Sequence, residues 1–133
     1  MNSSRWVFAI MAMPLLGVAC SNDVAGGGPQ AGSLTLRLTT PHADDGAMTF
    51  QVSGPAIDNA TAANASLRLF TRQASGSTMV GAVVGALANG AVVTVRVPDV
   101  GAAASYTATV LEVADRQDAL RTSLTGYAIT VTR

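Results

Sequence analysis

The chain has no lysine, one cysteine, one histidine and one tryptophan, and 12% of its 133 residues are charged. Each shortage removes a class of function. Eight arginines against eight acids give no net charge, and the chain lacks the basic patch with interleaved aromatics that a nucleic-acid footprint needs. A lone cysteine allows no internal disulfide, so the fold must hold by packing. Zinc asks for three or four nitrogen or sulfur ligands, more than His42 and Cys20 can supply. There is no Gly-x-Ser-x-Gly elbow and no Asp-x-Asp-x-Asp-Gly calcium loop. Few titratable groups have a plausible partner, so no catalytic role and no cofactor are expected.

The first segment is the most hydrophobic. Met1–Arg5 is a short polar start, and Trp6–Ala19 is a run of apolar and small residues broken only by Pro14. As a helix those residues would extend about 21 Å, short of the ~30 Å hydrocarbon core of a bilayer. A basic start, a short apolar stretch and small residues before a cut predict a signal peptide over residues 1–19. Leu16-Gly17-Val18-Ala19-Cys20-Ser21 resembles the lipobox of bacterial lipoproteins, with Gly17 where that family usually has leucine and Leu16 one step further back. The resemblance implies acylation of Cys20 and a membrane anchor at the cell envelope. Gly17 and Ala19 also suit an ordinary signal peptidase, which would release a soluble secreted protein. Both routes cut before Cys20. Residues 20–32 are rich in glycine and read as a flexible tether spanning roughly 20 Å.

From residue 33 to 133 the hydrophobic period is two, which predicts an all-β domain. Leu34, Leu36 and Leu38 alternate with polar residues, as do Met48, Phe50 and Val52, and Tyr127, Ile129 and Val131. Seven strands separated by Gly, Pro, Asn and Asp turns predict an antiparallel, immunoglobulin-like β-sandwich. Asn89-Gly90 is the favoured dipeptide of a two-residue hairpin and would pair 82–88 with 91–97, Val84 facing Val95. In that register Val83, Leu87 and Val92 fall on the outer face, where one apolar patch would favour self-association. Gly126 is expected to be a bulge resetting the phase of the last strand. The stretch from Val95 through Pro98, Asp99 and Gly101 to Tyr106 and Val110 is loosely similar to the corner before the sixth strand of fibronectin type III domains. Residues 40–55 resemble small bacterial envelope proteins, a likeness that implies no activity.

His42, Asp44 and Asp45 stand together in the loop before Gly46. They read as a turn capped by an Asp side chain, or as a weak calcium site or partner loop. If the strands alternate up and down, loops 41–46, 73–78 and 98–104 share one pole, bringing Asp99 towards Asp44 and Asp45. Loops 54–64, 88–90 and 115–122 would then share the tether's pole. Asp115–Arg121 is the most charged segment and reads as a solvated turn or recognition loop. The sequence therefore predicts a non-catalytic envelope module that binds a protein, a polymer or another copy of itself. The alternative is a soluble accessory subunit of an envelope enzyme or a weak calcium-binding domain.

Overall fold

The computed structural model describes residues 27–133. The expected signal peptide, Cys20 and most of the expected tether lie outside the described residues. Eight strands form two antiparallel four-stranded sheets. The strands are β1 (Gly32–Thr39), β2 (Asp45–Ser53), β3 (Asn59–Ala62), β4 (Arg68–Ser75), β5 (Thr78–Val84), β6 (Gly90–Val97), β7 (Thr107–Asp115) and β8 (Ala128–Thr132), with a 3₁₀ helix at Val100–Ser105. One sheet runs β3-β6-β1-β8 and the other β4-β5-β2-β7. β3 is the strand beyond the expected seven, a short edge strand on β6. β4 and β5 form a hairpin within one sheet, and every other connection crosses between sheets. β1 and β2 therefore face each other across the core, whereas the first two strands of an immunoglobulin domain share a sheet.

One-sided alternation decides most strand phases. Leu34, Leu36 and Leu38 of β1, Met48, Phe50 and Val52 of β2, and Val93, Val95 and Val97 of β6 all point inward and are buried together. Burying an aliphatic or aromatic side chain gives about 1.5–3 kcal/mol, and this layer supplies the packing that a disulfide-free domain needs.

The expected hairpin of 82–88 with 91–97 does not form. β5 pairs with β2 and β4, and β6 pairs with β1 and β3, so the two strands belong to different sheets. Both faces of 79–84 are apolar, and such a strand specifies its register weakly. Met79 and Val83 turn inward against Val52 and Met48, leaving Val80, Ala82 and Val84 outside. Gly85 N–H then donates to Gly46 O (2.9 Å) and Leu87 N–H to Asp45 O (3.1 Å), which holds residues 85–87 against the start of β2. The Asn89 side chain accepts from Thr40 N–H (2.7 Å) instead of closing a two-residue turn.

Val83, Leu87 and Val92 are consequently buried, and the expected outer patch of these three does not exist. Val92 is the extra residue of a bulge, since Leu36 pairs with Val93 and Arg37 with Ala91, so both Val92 and Val93 enter the core. Gly126 is no bulge. It has φ +84° in the turn that precedes β8, closed by Tyr127 N–H to Leu124 O (3.0 Å).

The connections sort loops 40–44, 63–67, 85–89 and 116–127 to one end of the sandwich. Residues 27–31, loop 54–58, the β4–β5 turn and segment 98–106 gather at the other.

Candidate functional site

Asp45 opens β2 and is fully buried, with 0% of its surface exposed. Strict alternation from Met48 and Phe50 would have pointed it outward. Gly46 changes that, because Asp45 pairs with Asp115 and Ala47 with Ala114, leaving Gly46 as the extra residue of a bulge. A Cβ on Gly46 would stand 3.0 Å from both Arg116 Cα and Asp115 O, so the close approach of the two backbones favours glycine.

A carboxylate removed from water needs donors and a countercharge. Thr40 Oγ1 donates to Asp45 Oδ2 at 2.5 Å. Tyr127 OH lies 2.9 Å from both oxygens. Arg121 donates to Oδ1 through Nε at 3.0 Å and Nη2 at 2.8 Å, and Nη2 also reaches Asp44 Oδ1 at 2.6 Å. The ring of His42 lies over Tyr127 with centroids 5.9 Å apart, and His42 N–H donates to Thr40 Oγ1 (3.0 Å). Burial on its own would raise the Asp45 pKa. The hydrogen bonds from Thr40, Arg121 and Tyr127, with the Arg121 charge, outweigh it and hold the carboxyl below the usual range. The bonds to Asp45 and Asp44 raise the Arg121 pKa, and burial followed by the bond to Asp45 raises that of Tyr127.

The charged segment 115–121 supplies the arm that carries Arg121. Asp115 Oδ1 accepts from Gln117 N–H (2.8 Å) and Ala119 N–H (3.0 Å), and Asp118 takes φ +64°. The backbone donors of Ala119 and then Gln117 hold the Asp115 carboxyl below its ordinary pKa. Arg121 N–H then bonds Val113 O at 2.8 Å, which aims its side chain at the start of β2. Arg116 ties the loop down from the other side, its N–H to Asp44 O (2.9 Å) and its guanidinium to Ala43 O (3.2 Å).

The structure thus brings Asp44 and Asp45 together with Arg121, Tyr127 and Thr40, and places exposed His42 over the cluster. Asp99 is not part of it. The expectation that loop 98–104 joins loop 41–46 fails because β6 and β7 carry 98–106 to the opposite end. There Asp99 Oδ1 accepts from Gly101 N–H (2.9 Å), capping the 3₁₀ helix, and from Gln30 N–H (3.2 Å). Segment 115–122 moves the other way and joins loop 41–46. The positive charge beside Asp44 and Asp45 is the Arg121 guanidinium. Among the described residues no three His, Cys, Asp or Glu side chains converge as a metal-ligand group.

Sequence reasoning missed Thr40, Arg121 and Tyr127 as members of this site. Tyr127 reads as an inward strand residue, and Arg121 lies 76 positions from the aspartate that it meets. The one available signal was a buried-strand aspartate flanked by glycine, which asks for a cation somewhere in the chain. No family model, curated protein or solved structure matches this chain.

Proposed function

We propose that the chain is an exported, non-catalytic β-sandwich module, held at the cell envelope by acylated Cys20 and acting on a protein or polymer partner. Its layering is immunoglobulin-like, with a strand order of its own. The closure of the Asp45 cluster carries the non-catalytic reading. Both oxygens of the Asp45 carboxylate accept from side chains of this chain, and among the described residues no buried side-chain nitrogen or oxygen lacks a partner. Catalytic groups are instead poised in a cleft with capacity left for substrate. Asp45 acts as a structural lock.

The anchored reading draws on the lipobox resemblance at Cys20 and on the end of the sandwich where residues 27–31 lie. An anchor there would turn loops 40–44 and 116–127 away from the bilayer, presenting His42 and Asp44 outward. Read as a flexible coil, the expected tether of residues 20–32 would reach roughly 20 Å, enough to hold the domain clear of the lipid.

Fractionation of bacterial cells expressing the chain tests the proposal. The parent is expected with the membranes and Cys20→Ser in the soluble exported fraction. If both forms fractionate identically as soluble protein, the anchor is refuted and a soluble secreted module replaces it.

A further inference from the structure

The two outer faces of the sandwich differ in chemistry. On the β3-β6-β1-β8 sheet the outward residues are polar, among them Thr35, Arg37, Thr61, Arg96 and Thr130. That is the pattern of a solvated face. On the β4-β5-β2-β7 sheet the outward positions include Ala47, Val80, Ala82 and Ala114, with larger apolar groups around them. Among the described residues the large exposed hydrophobics are Phe70 (61% exposed), Val84 (43%), Leu111 (42%) and Leu120 (64%), and Phe70, Val84 and Leu120 lie on this face. Gln51, Ser53, Thr78, Thr107 and Thr109 make the far end of this face polar, and the apolar end opposite a wholly polar sheet marks an interaction surface.

Its edges carry opposite charge. β4 presents Arg68 and Arg72 outward, and β7 presents Glu112. Among the described residues none of these three forms an ion pair, since the salt bridges present are those of Arg121. A two-fold axis lying in the face and parallel to the strands sets β4 of one copy over β7 of the other. Arginine then meets glutamate twice by symmetry. A two-fold axis across the strands would set β4 on β4, arginine against arginine, and is disfavoured.

Shape agrees with charge. Phe70, Ala82, Thr49 and Glu112 form one cross-strand row. Beside the β7 end of that row is a depression of about 90 Å³, lined by Ala47, Thr49, Ala82, Glu112, Ala114 and Leu120. The parallel axis keeps rows level, so Phe70 of one copy falls over the depression of the other.

We infer that this chain pairs with a second copy of itself, face to face through the β4-β5-β2-β7 sheet, with Phe70 as anchor and Glu112 flanked by Arg68 and Arg72 at both rims. This deepens the reading of a binding module by naming the partner, and it does not depend on the anchor. Strands ~4.8 Å apart and ~3.3 Å per residue make the face roughly 500 Å² a side. The total of about 1,000 Å² is at the lower edge of specific interfaces, so the dimer is weak in dilute solution.

Charge reversal tests it. The chain with Cys20→Ser, recovered from cells as they process it, is examined by sedimentation velocity from micromolar to millimolar concentration. With rows level, Glu112 of one copy faces the Phe70 row of the other and has Arg68 and Arg72 one row to either side. Arg72→Glu alone brings a glutamate beside it, and Glu112→Arg alone brings an arginine between the two. Each is expected to weaken association by about tenfold or more, and the double reversal to return it to within about threefold of the parent. The two residues lie three strands apart, at ~4.8 Å per strand, so rescue within one chain is excluded. A parent that stays monomeric throughout, or singles that associate like the parent, would overturn the inference. So would a double reversal no better than the singles, which would assign the face to an unlike partner. Fractionation fails or succeeds independently of this result.

Discussion

Replacing Asp45 by asparagine keeps the shape of the side chain and removes its charge. In the parent, the buried carboxylate accepts from Thr40, from Tyr127 and from two nitrogens of Arg121. Hydrogen bonds to a charged group contribute about 1.5–3 kcal/mol each and neutral ones about 0.5–1.5, so each weakened bond loses roughly 1 kcal/mol. An amide costs less to desolvate than a carboxylate, which offsets part of that loss. The balance is a destabilisation of about 2–3 kcal/mol at pH 7, or a drop in melting temperature of roughly 10–20 °C for a domain of this size. The pH dependence separates charge from shape. The folded-state pKa of Asp45 lies below its unfolded value, so its contribution is complete above pH ~5 and is lost as pH falls through the folded value. Urea melts of parent and Asp45→Asn at pH 7, 5 and 3, at constant ionic strength, measure the difference. Asp115 also has a lowered pKa but is common to both forms and cancels. The gap is expected to be narrower at pH 3 than at pH 7, because the unfolded carboxyl takes up its proton before the folded one. A difference under ~1 kcal/mol at pH 7, or one unchanged at pH 3, would refute the assignment of Asp45 as an ionised lock.

Val92 offers a sharp test of the β6 bulge, since alternation would put it outside and the structure buries it. Val92→Thr buries a hydroxyl in an apolar layer and is expected to cost about 1–3 kcal/mol in urea unfolding, where an exposed site would show almost nothing. Calcium at millimolar concentration is expected to leave the melting temperature unchanged, because Arg121 already bridges Asp44 and Asp45. A rise of several degrees on calcium addition, reversed by chelator, would show that the cation displaces the arginine.

How much of the fold the sequence discloses depends on how one-sided each strand is. β1 and β2 alternate leucine or large apolar groups with polar ones, so their phases follow directly, and Ile129 sets that of β8. β5 offers Met79 and Val83 on one face and Val80, Ala82 and Val84 on the other, and here pattern alone chooses wrongly. Asn89-Gly90 reinforced the error, because a turn dipeptide specifies local geometry but not the sheet that the next strand joins. β3 escaped notice for a different reason. Its Asn-Ala-Thr-Ala sequence has little apolar bulk and forms a strand because β6 offers it an edge. Bulges at Gly46, Val92 and Leu111 lie beyond any strict period, since each is recognisable only against its partner strand.

The same non-locality explains the site. A buried aspartate requires a cation, and the sequence gives no means of choosing among its arginines. The choice follows from sheet order. β7 neighbours β2 in one sheet and β8 neighbours β1 in the other, so loop 116–127 must cross the open end of the sandwich above the start of β2. Arg121 lies on that crossing and Tyr127 closes it. Thr40 leaves β1, Asp45 enters β2, Arg121 follows β7 and Tyr127 leads into β8. The carboxylate is therefore contacted by side chains from both sheets, at an end where no strand pairing joins them. An apolar plug there would hold the layers as firmly, but it would tolerate a shifted loop. Arg121 meets Asp44 and Asp45 while Tyr127 and Thr40 complete the oxygens, and that geometry sets the two connections, β1 to β2 and β7 to β8, against each other.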